Sequence, residues 1–192
     1  MKVLALMFLT STVLSSTVLA GAPFYVYQDR KSPNNHFIPS GWMGDYGAIK
    51  FDDSVRDGCS SGSCIRIDYS GKDTQGAGWA GIYWQASPNN WGNHTGSFDL
   101  RGKTKLTFMA KALKEGVMID KFKIGGITGE VTSDTGEQSI GPVEIPTKWK
   151  KFEIDLRDVS LEKINGGFCW STSRDSIPQE GMVLFLDEIK YE

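Results

Sequence analysis

Histidine and cysteine are scarce in this chain, which has two histidines and three cysteines among 192 residues. Neither His36 nor His94 lies at ligand spacing from a cysteine, which argues against a zinc site and against a cysteine–histidine nucleophile. The formal net charge is only −2, and no run of like charges occurs. Nothing in the composition therefore favours nucleic acid or an anionic membrane as a partner.

The only long apolar run lies at the N terminus. Met1-Lys2 is a short positive start, residues 3–14 are mostly apolar, and Val18-Leu19-Ala20 supplies residues that tolerate a cut. This pattern predicts a secretory signal peptide over residues 1–20, too short to be a stable membrane span. We therefore expect a secreted or periplasmic protein whose residues 21–192 form one domain.

Secretion permits disulfide bonds, but three cysteines leave at least one unpaired within the chain. Cys59 and Cys64 flank a flexible Ser-Ser-Gly-Ser tetrapeptide that can close a small loop. The rival pairing joins Cys64 to Cys169, since both lie in strand-like segments, and spacing alone does not decide between them. Our prediction is a Cys59–Cys64 bridge, with Cys169 free and buried.

Short segments of period two, separated by turn residues, make up most of the sequence. They cover residues 24–27, 48–51, 64–69, 79–85, 105–111, 119–124, 143–145, 149–156, 167–172 and 183–191. A single helix-like turn is expected at residues 159–164. Many short strands at this spacing predict an all-β protein, an antiparallel sandwich or barrel.

The most informative strand is the tryptophan-rich one at residues 79–85. Alternation places Trp79, Tyr83 and Gln85 on one face and a set of good core residues, Ala80, Ile82 and Trp84, on the other. Flat aromatic rings beside amides suit a sugar, which has apolar C–H faces and a polar edge. The alternative is that both faces are buried and the indoles belong to the core. Trp170, on a later strand, shares its face with Phe168, which favours a place in the core.

Two neighbouring segments extend this candidate site. Asn89, Asn90 and Trp91 follow the strand in a loop, and they add two amides and a third aromatic ring. Trp42 lies in a polar, glycine-rich stretch, residues 39–47, and is either exposed on a loop or packed under a loop. We predict that these residues bind carbohydrate together with the strand.

The C-terminal part of the chain carries a family resemblance. Residues 147–156, the segment Gly166-Gly167-Phe168-Cys169-Trp170, and residues 183–189 resemble the closing half of galactose-binding-like jelly rolls. Many non-catalytic carbohydrate-binding modules of secreted bacterial glycoside hydrolases have this fold. The resemblance implies a jelly-roll β-sandwich, and a polysaccharide or oligosaccharide bound on a concave sheet face lined with aromatics.

The same resemblance implies a structural Ca²⁺ between the N-terminal segment and the last strand. The family's acidic ligand on the closing strand corresponds to Asp187, and Asp29 is the nearest match for a second one. Carboxylate and carbonyl oxygens are the ligands that calcium requires. The alternative is that Asp187 and Glu188 are solvent-facing ends of an edge strand.

Two other classes of function compete with carbohydrate binding. A jelly-roll polysaccharide-degrading enzyme would need a marked catalytic constellation, and no Glu-x-Asp-x-x-Glu, Gly-x-Ser-x-Gly or His-Glu-x-x-His motif occurs. Arg66, Asp68, Lys121 and Lys123 are better interpreted as charges on a solvated sheet face. An envelope or surface interaction protein without a glycan ligand is the third class. We predict a monomeric, non-catalytic carbohydrate-binding protein, with a short glycosylation sequon at Asn93.

Overall fold

The computed structural model describes residues 21–192, so the predicted signal peptide lies outside the described residues. In this part of the chain 45% of the residues are in strands and only 3% in helix, so the regular structure is almost entirely β. The strands are β1 (Phe24–Tyr27), β2 (Ile38–Gly44), β3 (Ile49–Val55), β4 (Cys64–Tyr69), β5 (Trp79–Gln85), β6 (Lys105–Ala112), β7 (Met118–Ile119), β8 (Lys121–Gly125), β9 (Glu137–Ile140), β10 (Val143–Glu144), β11 (Lys150–Asp155), β12 (Gly166–Ser173) and β13 (Met182–Tyr191).

These strands form two antiparallel sheets that pack face to face. The six-stranded sheet has the order β11-β6-β13-β4-β3, and β1 also pairs with β13. The five-stranded sheet has the order β2-β5-β12-β8-β9, while β7 and β10 form a small separate pair. The predicted all-β class and antiparallel β-sandwich are therefore confirmed.

A cluster of aromatic rings fills the space between the sheets. Phe108 of β6 lies at its centre, with ring centroids 4.6 Å from Phe122, 5.1 Å from Phe168 and 5.4 Å from Phe152. Alternation along each strand sends these rings inward, because successive side chains point to opposite faces. Trp84 and Trp170, both predicted to lie in the core, are fully buried beside the cluster.

Two strands and one turn differ from the sequence expectation. β2 and β9 are edge strands that the pattern did not predict, because β2 contains proline and glycine and β9 is largely polar. Edge strands tolerate such residues, since one side of the backbone needs no partner. The helix-like turn at 159–164 does not form. Ile164 instead exchanges backbone hydrogen bonds with Phe98, each 2.9 Å long.

The cysteines are arranged as one bridge and one thiol. Cys59 and Cys64 are joined in a disulfide with their Cα atoms 5.5 Å apart, and Cys169 is free and buried on β12. The rival Cys64–Cys169 bond is not formed. Burial raises the pKa of the Cys169 thiol to about 12, so this thiol is unreactive at neutral pH. Within residues 21–192, no helix combines the length and apolar content needed to cross a membrane.

Candidate functional site

The outer face of the five-stranded sheet carries the aromatic residues of the tryptophan-rich strand. On β5, Ala80, Ile82 and Trp84 join the core, so Trp79, Tyr83 and Gln85 point the other way. The exposed fractions of these three side chains differ greatly. Trp79 is 39% exposed, whereas Tyr83 is 5% exposed and Gln85 is completely buried. The strand therefore presents one indole to solvent, not a row of aromatics.

Trp91 covers Tyr83. The two rings meet edge to face, with centroids 5.9 Å apart and planes at 87°. The indole also lies against Gly41 of β2, where an added Cβ would be only 3.0 Å from Trp91 Cζ2. The Tyr83 hydroxyl donates to the Gly125 carbonyl at 2.5 Å, and burial raises the pKa of this phenol. Tyr83 thus supports Trp91, which is 41% exposed and presents the second indole.

Gln85 and Asn90 hold the loop that carries Trp91. Gln85 Nε2 donates to the Asn90 carbonyl at 2.9 Å, and Gln85 Oε1 accepts from the Ser40 hydroxyl at 2.8 Å. The Asn90 side chain accepts from Gly92 N at 3.0 Å and donates to the His94 carbonyl at 3.3 Å. Both amides are buried, so they are scaffold groups and not ligand contacts. Of the three predicted amides, only Asn89 faces solvent.

A second loop, residues 126–136, packs against the loop that carries Trp91. The Gly92 carbonyl accepts from Val131 N at 2.9 Å and from Thr132 N at 3.0 Å. A Cβ on Gly92 would lie 2.5 Å from Gly129 Cα, and Gly92 has a φ of +90°, so only glycine fits there. The two loops therefore pack tightly against each other at Gly92, the residue that follows Trp91.

Asp134 anchors this second loop to the sheet. Its carboxylate accepts backbone N–H groups from Ile127, at 2.8 Å, and from Asn165 and Gly166. Burial raises the pKa of Asp134, while the three backbone donors stabilise its charged form. Sequence reasoning did not identify this residue.

Trp79 is positioned by a different buried carboxylate, Asp45. The Asp45 side chain accepts four backbone N–H groups from the loop just before Trp79, those of Thr74, Gln75, Ala77 and Gly78, at 2.7 to 3.2 Å. The backbone N–H of Asp45 donates to the Trp79 carbonyl at 2.8 Å. Burial raises the pKa of Asp45, but the four hydrogen bonds together outweigh it and hold the pKa below its usual range.

This arrangement predicts how stability depends on pH. Because the pKa of Asp45 is lower in the folded state, its contribution is present above the ordinary carboxyl pKa and is lost as the pH falls through the folded value. We expect Asp45→Asn to be less stable at pH 7, and its free energy of unfolding to fall less than that of wild type between about pH 5 and pH 2. Urea denaturation at each pH measures this.

The control for this prediction is Asp73→Asn, which changes an exposed carboxyl of the same loop. It is expected to alter the free energy of unfolding by no more than about 0.5 kcal/mol at pH 7. An Asp45→Asn protein with wild-type stability and an unchanged pH slope would contradict the assigned role.

Trp79 and Trp91 bound a shared surface. Strand register places Met43, Ser171 and Lys121 in one row beside Gly81, between the positions of Trp79 and Tyr83. Trp79 and Tyr83 are four residues apart, so their Cα positions are ~13 Å apart along the strand, and Trp91 lies over Tyr83. We call this surface, bounded by Trp79 and Trp91 with Met43, Ser171 and Lys121 between them, the aromatic face.

Trp42 does not belong to the aromatic face. It pairs with Ile82 across β2 and β5, so its side chain points to the opposite side of the sheet from Tyr83. There its ring meets Phe51 edge-on, with centroids 6.1 Å apart, at the open side of the sandwich. The indole is 37% exposed, so it is not packed under a loop, but Trp42 lies in strand β2 and not on a loop, away from the other two indoles.

The polar groups around the aromatic face are mostly engaged. Lys123 pairs with Glu137 at 3.2 Å and lies over the Tyr83 ring at 5.9 Å. Asp120 accepts from Ser173 N at 2.7 Å and from the Ser176 hydroxyl at 2.5 Å. Lys121 makes no ion pair with any carboxylate of residues 21–192. The surface therefore offers apolar rings, hydroxyls and one free ammonium group, which suits binding by stacking and hydrogen bonding.

The residues implied for calcium lie together, but their oxygens already accept hydrogen bonds. Asp29 Oδ1 accepts from Ser63 N at 2.6 Å, and Asp187 accepts from Ser61 N and Glu188 N, both at 2.9 Å. Burial raises the pKa of Asp187 to about 6. Among the described residues, no group of three or more His, Cys, Asp or Glu side chains is placed to hold a metal ion.

Calcium takes six to eight oxygen ligands, and backbone N–H groups compete for the same lone pairs. The hydrogen bonds of Asp29 and Asp187 therefore argue against a calcium ion between them, in contrast to what the resemblance implies. In this structure the two carboxylates instead hold the disulfide loop, residues 59–64, against β1 and β13. Asp187 is buried within β13, so it is not a solvent-facing strand end.

We expect reduction and chelation to act differently on the melting temperature. Opening the Cys59–Cys64 bridge with dithiothreitol should cost about 2 kcal/mol, because the loop regains conformational freedom when unfolded. EDTA should leave the melting temperature of the oxidised protein unchanged. Differential scanning fluorimetry with EDTA, with excess Ca²⁺ and with dithiothreitol separates the two effects. A fall of several degrees in EDTA, reversed by Ca²⁺, would restore the calcium site.

Comparison with known proteins places this fold among carbohydrate-binding modules. A family 30 module of a cellulosomal cellulase of Clostridium thermocellum superposes with a TM-score of 0.57 at 12% identity, over 89% of this chain and 97% of that chain. A family 11 module of another Clostridium thermocellum cellulosomal cellulase gives 0.53 at 15% identity, over 79% and 86%. A family 29 mutant complexed with cellulohexaose gives 0.52 at 10% identity, over 88% and 89%.

These neighbours are β-sandwich carbohydrate-binding modules, as the resemblance implied. No protein-family model matches the sequence. No curated protein matches it either. At identities this low, the likeness to solved structures establishes the fold alone.

Proposed function

We propose that this chain is a secreted, non-catalytic protein that binds polysaccharide or oligosaccharide on the aromatic face. The observation that supports the proposal is the pair of exposed indoles, Trp79 and Trp91, each held by its own buried scaffold. Asp45 fixes the loop before Trp79, while Asn90 and the 126–136 loop fix Trp91. Preorganised aromatic rings lose little conformational entropy when a ligand stacks on them.

The spacing of the indoles favours a chain of sugars over a single sugar. The Cα positions of Trp79 and Tyr83, which Trp91 covers, are ~13 Å apart, more than the length of one pyranose ring, so we expect an oligomer to span both ends of the aromatic face. One aromatic side chain offers ~200 Å², about half of it on the face that a sugar covers, which corresponds to ~2–3 kcal/mol gross. Two such contacts, less the cost of association, give affinities in about the micromolar to millimolar range. Repeated contacts along a polymer then add avidity.

The test is binding to polysaccharides by variants of the three exposed tryptophans. Insoluble pull-down and affinity electrophoresis should include β-glucans, because solved neighbours were complexed with cellulohexaose and with a β-1,3-1,4-mixed-linked tetrasaccharide. We expect Trp79→Ala and Trp91→Ala each to weaken binding about tenfold or more, the loss of one stacking contact. Trp42→Ala is the matched control, since it removes an equally exposed indole elsewhere, and should bind like wild type.

Each other outcome points to a different class of protein. Equal binding by wild type, Trp79→Ala and Trp91→Ala would show that the aromatic face is not the binding site. Failure of wild type to bind plant, algal, fungal and bacterial polysaccharides would favour a surface interaction protein. Release of reducing ends or unsaturated sugars by the purified protein would show an enzyme.

A further inference from the structure

A cleft lies on the six-stranded sheet, where β3, β4 and β13 meet the loop that follows β6. This cleft has a volume of about 720 Å³, which is within the range of small-molecule sites. Its apolar lining includes Leu113, Val117, Met182 and Val183. Leu113 is 55% exposed and places an apolar surface at the side of the cleft. None of the residues that define the aromatic face lines this cleft.

The charges of the cleft are unbalanced. It is lined by four cationic side chains, Lys50, Arg66, Lys72 and Lys114, and by two carboxylates, Asp68 and Glu180. Arg66 grips Asp68 with two hydrogen bonds of 2.7 and 2.8 Å, and Lys114 pairs with Glu180 at 3.2 Å. Lys50 and Lys72 make no ion pair with any carboxylate of residues 21–192. The cleft is therefore locally positive on a chain whose net charge is −2.

The cleft offers a hydroxyl that a ligand can reach. Thr74 lines the cleft and is exposed, and its hydroxyl donates to Gln75 Oε1 at 2.6 Å, which leaves the hydroxyl oxygen able to accept. The Tyr69 hydroxyl has no hydrogen-bond partner among the described residues, but it is fully buried in the core between the sheets and a ligand in the cleft does not meet it.

We propose that this cleft binds a hexuronate, a pyranose sugar that carries one carboxylate. Lys50 and Lys72 bind the carboxylate, because their ammonium groups are not neutralised by the protein. The apolar C–H face of the ring packs on Leu113 and Val183, and a ring hydroxyl donates to the hydroxyl oxygen of Thr74. The site is separate from the aromatic face, so the proposal does not depend on the function proposed for that face.

The test is a titration with methyl β-D-glucuronide and, as the uncharged counterpart, methyl β-D-glucoside. Methyl NMR signals of Leu113, Val117 and Val183 report on the cleft, and the indole N–H signals of Trp79 and Trp91 report on the aromatic face. We expect the glucuronide to shift the cleft methyls saturably and to bind more weakly as salt is added, since exposed charges are screened. The glucoside should bind about tenfold more weakly.

The variants separate a local site from overall charge. Lys50→Gln with Lys72→Gln should weaken glucuronide binding about tenfold or more, the effect of losing a hydrogen bond to a charged group. Lys148→Gln with Lys163→Gln changes the net charge equally at exposed positions outside the cleft and should leave binding unchanged.

Four results would overturn the proposal. The first is that the cleft methyl signals do not shift up to about 20 mM glucuronide, where a millimolar site saturates. The second is that the glucoside binds as tightly as the glucuronide, and the third is that the Lys148→Gln, Lys163→Gln control loses as much affinity as the cleft variant. The fourth is that only the indole signals shift.

Discussion

Replacing Phe108 with alanine is expected to lower the free energy of unfolding by ~3–5 kcal/mol, the range for deleting a buried ring that leaves a cavity. The Phe108 ring contacts Phe122, Phe152 and Phe168, so it packs against both sheets. A small movement of one neighbour cannot fill the space that the ring leaves. Interiors are close-packed, and relaxation around the cavity is only partial. Urea denaturation followed by tryptophan fluorescence and by circular dichroism measures the change.

Two variants control this prediction. Phe108→Leu keeps most of the volume and should cost less than Phe108→Ala. Val131→Ala removes an exposed apolar side chain and should stay within about 0.5 kcal/mol of wild type. A cost for Phe108→Ala below about 1 kcal/mol would mean that the aromatic cluster does not hold the two sheets together.

The core could be predicted from the sequence because alternation is a local property. Leu106, Phe108 and Ala110 lie two residues apart, so whichever sheet they join, they share one face. The same reasoning correctly placed Trp84 and Trp170 inside. Patterns of this kind depend only on residues that are neighbours in the chain. Together with the resemblance of the C-terminal part to galactose-binding-like jelly rolls, they were sufficient to predict the fold class.

The edge strand β2 shows where local patterns fail. Its pairing with β5 shifts by one residue between Pro39 and Gly41. A one-residue shift exchanges the two faces of a strand, and this shift depends on the partner strand. The sequence leaves open whether Trp42 is exposed or covered, and only the register shows that Trp42 lies on the opposite side of the sheet from Tyr83.

The amides of the candidate site illustrate a second limit. A sugar hydroxyl and a backbone carbonyl accept the same hydrogen bonds, so Gln85 and Asn90 were plausible ligand contacts from their type alone. Their burial is set by loops that are distant in sequence, including the 126–136 loop. The glycines at 92 and 129 were the available signal, because glycine marks close backbone approach, but a glycine does not identify its partner.

Asp134→Asn is expected to have the second-largest effect, with a loss of ~2–4 kcal/mol in the free energy of unfolding. The carboxylate accepts from Ile127, Asn165 and Gly166 with both oxygens. An amide replaces one of these acceptors with an NH₂ group, which faces a backbone donor in a buried place. The substitution keeps the shape of the side chain, so the loss reports on the hydrogen bonds and not on packing.

The same variant should also weaken glycan binding, although Asp134 does not reach the aromatic face. The 126–136 loop holds Gly92 through Val131 and Thr132, so loosening it frees the neighbouring Trp91. Glu130→Gln, an exposed change of the same charge in the same loop, is the matched control and should leave stability and binding unaltered. Fluorescence quenching by iodide measures the freed indole in a background that carries Trp42→Phe and Trp79→Phe, where Trp91 is the most exposed remaining tryptophan of residues 21–192. If Asp134→Asn loses stability while the affinity and the quenching stay at wild-type values, the loop supports the fold but does not position Trp91.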